Sequence, residues 1–228
     1  MKTGQIQTSF VNDVQHKVNL MAEMVSQELS DSIQAFAERD QLQASETVAA
    51  DALVNASERI IDELIIQSIV SHQPNASDCR HLIAVLRITK DLERIGDHAI
   101  NIANHSTTLD RLELTGEEQR VIDLGHSVHT MLQEIIEAFV DFDVAKAQLV
   151  REQDYAVDEL FTKIFTDLIN INTQKAQLSS ACTHLSFIAR CFERIGDHIT
   201  DIAEEIIYTV EGKFPSDKRE KADNSAFV

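Results

Sequence analysis

A chain of 228 residues, 43% of them hydrophobic, can bury a substantial core, and its scarcity of Gly (6) and Pro (2) with no Trp favours an all-helical fold. With 38 acidic against 20 basic residues and a formal charge of −18, most of the surface repels phosphate backbones and anionic lipid, which argues against nucleic acid as a partner. No window approaches the roughly 18 apolar residues of a spanning helix, and "MKTGQIQTSFVNDVQHKV" lacks the apolar stretch of a signal peptide, so a cytoplasmic protein with no membrane insertion is expected.

Apolar residues recur in threes and fours from about residue 9 to 37, through Phe10, Val14, Val18, Met21, Val25, Leu29, Ile33 and Phe36, and predict a long amphipathic helix. A second is expected over about 43–71, with Val48, Ala52, Ile60, Leu64 and Ile69 on its inner face. It ends before Pro74, where Ser77 or Asp78 could cap the third helix, about 79–105. Thr115 and Glu118 stand at capping-box spacing, after which helices are expected at about 117–140, 145–171 and 177–211. Cys79, Cys182 and Cys191 show neither disulfide nor zinc-finger spacing and read as reduced thiols.

The second half repeats the first. Val25, Leu29, Ile33, Phe36, Asp40, Ala44 and Asp51 match Val128, Leu132, Ile136, Phe139, Asp143, Ala147 and Asp154 at one constant offset, and E-R-I-G-D-H at 93–98 returns at 193–198 with about three residues fewer. The missing residues are expected in the loop before the last helix. The chain therefore reads as two three-helix bundles in tandem, residues 1–112 and 113–212, with short connections that favour antiparallel neighbours, followed by a tail over 213–228 expected to be frayed.

Glu93 and Asp97 lie four apart, as do Glu193 and Asp197, and Asp201 extends the second row, so each set projects from one helix face. Like charges at that spacing repel by a few tenths of a kcal/mol, and a mid-helix glycine, here Gly96 or Gly196, costs about 0.5–1 kcal/mol relative to Ala. A single E-x-x-x-D reads as a solvated face paired with arginines. Two penalties repeated at matching sites point instead to a tertiary compensation: another backbone passing close over the glycine, a cation held by the carboxylates, or both. The second helix of each repeat offers complementary groups, Asp51, Asn55, Glu58 and Asp62 in one and Asp154 and Asp158 in the other, which could gather around Fe, Mn, Mg or Zn. Asn55 and Asn101 make the first set less acidic, so tighter metal binding is expected in the C-terminal half. His98 and His198 sit about 100° away from the aspartate face and read as structural.

"DLERIGDHAINIA", "FERIGDHITDIAE" and the stretch "QPNASDCRHLIAVLRITKDLERIGDH" resemble the signature segments of the PhoU family, the bacterial regulators of phosphate uptake, and the resemblance covers nearly the whole chain. It implies a tandem of three-helix bundles whose acidic rows hold multinuclear metal clusters. The ligands it implies are Asp51, Glu93 and Asp97 in the first repeat and Asp154, Asp158, Glu193, Asp197 and Asp201 in the second, with Asn55 departing from the usual acid. It implies no catalysis. The implied role is that of a homodimeric signalling adaptor and negative regulator of the phosphate regulon, which links the ATPase subunit of the phosphate ABC transporter to a sensor histidine kinase. An accessory of a different phosphate carrier, a structural adaptor with empty acidic faces, and a carboxylate-bridged di-iron enzyme are the competing readings. The last requires E-x-x-H pairs, and none accompanies either motif.

Overall fold

The computed structural model describes residues 2–109, 111–216 and 221–222, with side chains described from residue 13 onward except at residue 72. Six helices carry the chain: α1 (Lys2–Glu38), α2 (Gln41–His72), α3 (Ala76–Leu109), α4 (Glu118–Asp141), α5 (Val144–Gln174) and α6 (Ser179–Glu211), with one 3-10 turn (Ala176–Leu178) leading into α6. No strand occurs among the described residues. None of the helices is long and apolar enough to cross a membrane.

The duplication is visible in how helices start and stop. Asp40 Oδ1 accepts from the N–H groups of Leu42 and Gln43 at the start of α2, and Asp143 Oδ1 accepts from that of Lys146 at the start of α5. The residues before them, Arg39 (φ 56°) and Phe142 (φ 51°), both close the preceding helix in the left-handed region. Where the first repeat joins α2 to α3 through Gln73, Pro74 and Asn75, the second passes from α5 almost directly into the turn at Ala176. Those three residues account for the shortening of the second copy. Asn75, rather than Ser77 or Asp78, caps α3: its Oδ1 accepts from the N–H groups of both those residues, at 2.8 and 3.0 Å. Glu118 reaches back to the Thr115 N–H at 2.8 Å, completing that half of the expected box.

Each repeat packs its three helices together, and the two bundles join through α3 against α6 and α1 against α4 in one continuous core. Val14, Val18, Met21, Val25, Leu29, Ile33 and Phe36 are buried along α1 as expected; the side chain of Phe10 lies outside the described residues. The expected face of α2 is wrong. Its buried stripe is Val54, Ile61, Ile65 and Ser68, while Ile60 and Ile69 are exposed, because α2 carries apolar residues on both sides and periodicity alone does not select one. All three cysteines are free.

Candidate metal-binding acidic sites

The motif glycines place the acids. A Cβ on Gly96 would lie 3.5 Å from Val54 Cγ1 and 4.0 Å from Asp51 Oδ1, and one on Gly196 would lie 3.5 Å from Val157 Cγ1 and 2.7 Å from Asp154 Oδ1. Val54 and Val157, like Asp51 and Asp154, are equivalent positions of the two repeats. The second helix of each bundle therefore presses a valine and a carboxylate onto the glycine of the third. The compensation is this approach of an acidic side chain rather than of a neighbouring backbone, so the glycine is needed to let a carboxylate from one helix reach the acidic row of the next.

In the first repeat the row comprises Asp51, Glu93 and Asp97. Lys90 donates to Glu93 Oε2 at 2.9 Å and to Glu58 Oε1 at 3.0 Å, and Arg94 donates to Asp97 Oδ2 at 3.1 Å. Asn55 donates to Asp51 Oδ2 at 2.6 Å. Burial, then the negative charge of Asp97, raise the Asp51 pKa above its ordinary value, and Glu93 adds to the rise. Burial and then Glu93 raise that of Asp97. These carboxyls thus share one unfavourable field.

A fourth carboxyl, which the sequence motifs do not contain, completes this site. Glu28 on α1 is only 5% exposed, and its Oε2 lies 3.3 Å from the position of a Gly96 Cβ with no hydrogen-bond partner among the described residues. Burial first, then Asp51 and Asp31, push its pKa up to about 7. The sequence did carry a signal. Met21, Val25, Glu28, Ser32 and Ala35 follow the spacing of an inward stripe, and all five are buried, so Glu28 is an acid at a core position. Its counterpart in the second repeat is the buried Met131.

The second row is more deeply enclosed. Asp154 and Asp158 are each 1% exposed and Glu193 is 3% exposed. Cationic groups surround it: Arg190 lies 3.4 Å and Arg194 3.5 Å from Glu193 Oε2, and Arg194 lies 3.3 Å from Asp197 Oδ2. The expected free tail is instead engaged here at the two residues described. Lys221 donates to Asp197 Oδ1 at 2.6 Å, the Ala222 N–H donates to Asp158 Oδ2 at 3.0 Å, and Thr162 Oγ1 donates to the Ala222 carbonyl at 3.3 Å. Residues 217–220 and 223–228 lie outside the described residues.

Asp201 joins a different group. Its ligand atom lies with those of Asp91 and His198 inside 4.8 Å, at the contact of α3 with α6, and His198 Nδ1 is 3.0 Å from Asp91 Oδ1. No other trio of such groups among the described residues is so compact. The two acidic rows are spread more widely. His98 is packed against His198, ring centroids 5.9 Å apart. Burial first, then the charges of His198, Arg194 and Arg94, lower its pKa to about 4, and it reads as a neutral structural group.

The PhoU domain model matches residues 18–105 and again 121–206, one match for each bundle. The chain belongs to the PhoU family. A phosphate-specific transport system accessory protein PhoU homolog of Rhizobium meliloti is 31% identical over 227 residues, spanning 98% of this chain and 96% of that protein. One from Caulobacter vibrioides is 34% identical over 208 residues, spanning 91% of this chain and 90% of that protein. The crystal structure of PhoU from Pseudomonas aeruginosa superposes with a TM-score of 0.88 at 30% identity, covering 90% of this chain and 99% of that one. The phosphate transport system regulatory protein PhoU of Streptococcus pneumoniae shares the fold, with a TM-score of 0.86 at 22% identity, over 92% of this chain and 99% of that one. The names of these relatives are those of an accessory and a regulatory protein of phosphate transport.

Proposed function

We propose that this PhoU-family protein is an accessory and negative regulator of phosphate uptake that works as a metal-binding helical adaptor. The names of its relatives supply the phosphate-transport context. The observation that carries the metal part of the reading is the repeated geometry at Gly96 and Gly196, where a carboxylate of the second helix is brought against the acidic row of the third in both bundles. Burying several carboxylates together is costly unless positive charge accompanies them. Arginines and lysines contact parts of each row from its rim, and a cation among the oxygens would complete the neutralisation. Asp51, Glu93 and Asp97 would hold it in the first repeat, and Asp154, Asp158, Glu193 and Asp197 in the second, with Asp201 turned toward the α3–α6 contact. An oxygen-only donor set suits Mn, Mg or iron better than Zn.

In this reading a homodimer meets the transporter's ATPase subunit and a phosphate-sensing histidine kinase at the cytoplasmic face, and holds the kinase in its non-signalling state when phosphate is plentiful. Asp51, Glu93 and Asp97, and Asp154, Asp158, Glu193 and Asp197, would hold the cation across the second and third helices of their bundles.

Plasma mass spectrometry on untagged protein purified without chelators tests the metal part. Several equivalents in the parent should fall in a variant with Asp51, Glu93 and Asp97 changed to Ala, and again in one with Glu193 and Asp197 changed to Ala. No metal in any of them would overturn it. Deleting the gene should switch on a phosphate-responsive reporter in high phosphate. An unchanged reporter would overturn the regulatory part.

A further inference from the structure

We infer that Glu28 is a cation ligand of the first repeat, supplied by α1, so that this site is built from three helices rather than two. The inference rests on the metal reading above and adds to it a residue outside the acidic motifs of the second and third helices.

Three observations carry it. Glu28 is a carboxyl at a core position, 5% exposed, whose Oε2 has no hydrogen-bond partner among the described residues. A buried polar atom of this kind is rare in folded proteins, and a missing ligand is one of its few explanations. Second, the side chain faces the site. Glu28 Oε2 and Asp51 Oδ1 approach the same point, the place of a Cβ on Gly96, from two different helices at 3.3 and 4.0 Å, so the glycine accommodates both acids at once. Third, the repeats differ here in complementary ways. Asn55 stands where the second repeat has Asp158, and Glu28 stands where the second repeat has Met131. Each bundle therefore assembles four carboxylates: Glu28, Asp51, Glu93 and Asp97 in the first, and Asp154, Asp158, Glu193 and Asp197 in the second. Glu28 supplies the acid that Asn55 lacks. The first site is then no weaker in charge than the second, contrary to what the two asparagines suggest.

The ligand class follows from the donors. All four are carboxylate oxygens, which suits a hard divalent ion such as Mn²⁺.

The test is calorimetric titration of metal-free full-length protein with Mn²⁺, in a background where Glu193→Ala and Asp197→Ala disable the second row. Glu28→Gln keeps shape and removes charge, and Glu28→Met installs the residue of the other repeat, so one variant serves if the other does not fold. Folding is checked by circular dichroism in chelator. The expected result is Mn²⁺ binding by the background protein, weakened at least tenfold by either substitution, with a matching loss of the Mn²⁺-induced rise in Tm. Binding that is equally tight in the substituted proteins would overturn the role of Glu28 and leave the metal reading intact. A background protein that binds no Mn²⁺ while the unmodified chain does would place the metal in the second row alone and overturn this proposal. No binding by either would overturn both.

Discussion

The buried Glu28 carboxyl makes a quantitative demand on the metal-free protein. Its pKa in the folded chain is about 7 against an ordinary 4.5. Below pH 4.5 it is protonated whether the chain is folded or not, and it contributes no pH dependence. Between 4.5 and 7 the unfolded chain releases the proton while the folded chain retains it, so stability falls as pH rises, and above pH 7 the full penalty is present. A shift of this size corresponds to about 3 kcal/mol at 1.36 kcal/mol per unit. Glu28→Gln removes the titration. It adds a buried amide whose cost does not depend on pH, so the informative quantity is the change in the difference between the two proteins across the pH range. Urea unfolding in chelator at pH 5 and pH 8 should show the Gln variant gaining up to about 3 kcal/mol on the parent between those values. A difference that stays constant from pH 5 to pH 8 would refute the idea that Glu28 is buried against Asp51 and Asp31 as an uncompensated carboxyl.

Other perturbations test the surrounding architecture. Gly125→Ala would place its Cβ 2.6 Å from Cζ of the fully buried Phe192, and urea titration should register a loss of about 1–3 kcal/mol in spite of the better helix propensity of alanine. Gly196→Ala, with its Cβ 2.7 Å from Asp154 Oδ1, should destabilise more than Gly96→Ala, whose nearest atom is 3.3 Å away; equal effects in the two repeats would count against the tighter acid–glycine contact in the second. Truncation after Ser216 removes the Lys221 ammonium from Asp197 and the Ala222 N–H from Asp158. The truncated protein should take up Mn²⁺ at the second row more tightly than the full chain in a calorimetric titration, whereas unchanged affinity would show that the tail does not compete with a cation.

Most of the architecture was written in local pattern. The repeat, the six helices and the short connections follow from spacing, caps and the two E-R-I-G-D-H segments, because each is a property of a few neighbouring residues. The face of α2 was not legible. Ile60, Ile66, Ile69 and Val70 are exposed on a helix whose partners bury Val54, Ile61 and Ile65, and only packing against α1 and α3 chooses between the two sets. The acids of the motifs were legible, and their grouping only in part. Asp201 extends the row of Glu193 and Asp197 along the helix, but at two turns from Glu193 it meets Asp91 of α3 instead, beside His198 of its own helix. Glu28 was missed although its stripe position was visible, because an acid at one edge of an apolar face ordinarily lies at the rim and here lies under Gly96.

The difference between the repeats follows from what the duplication left fixed. The valine–glycine contact recurs in both bundles with the same 3.5 Å approach, so each bundle inherits an opening beside its glycine that carboxylates enter. Filling that gap creates an electrostatic debt, and the two copies meet it with different parts of the chain. In the second repeat Asp154 closes directly on the glycine, the position equivalent to Glu28 is the buried Met131, and positive groups come from Arg190, Arg194 and the distant Lys221. In the first repeat Asp51 stands further off, Glu28 Oε2 comes nearer the glycine than Asp51 does, and Lys90 and Arg94 reach Glu93 and Asp97 but neither Glu28 nor Asp51. Negative charge is therefore best balanced by protein cations in the second repeat and least balanced at the Glu28–Asp51 side of the first. A cation at low concentration should therefore bind there first. Competition experiments with the two row variants should find the higher-affinity Mn²⁺ equivalent abolished by the Asp51, Glu93 and Asp97 substitutions and retained when Glu193 and Asp197 are replaced, and the opposite order would show that enclosure of the second row outweighs its protein counter-charges.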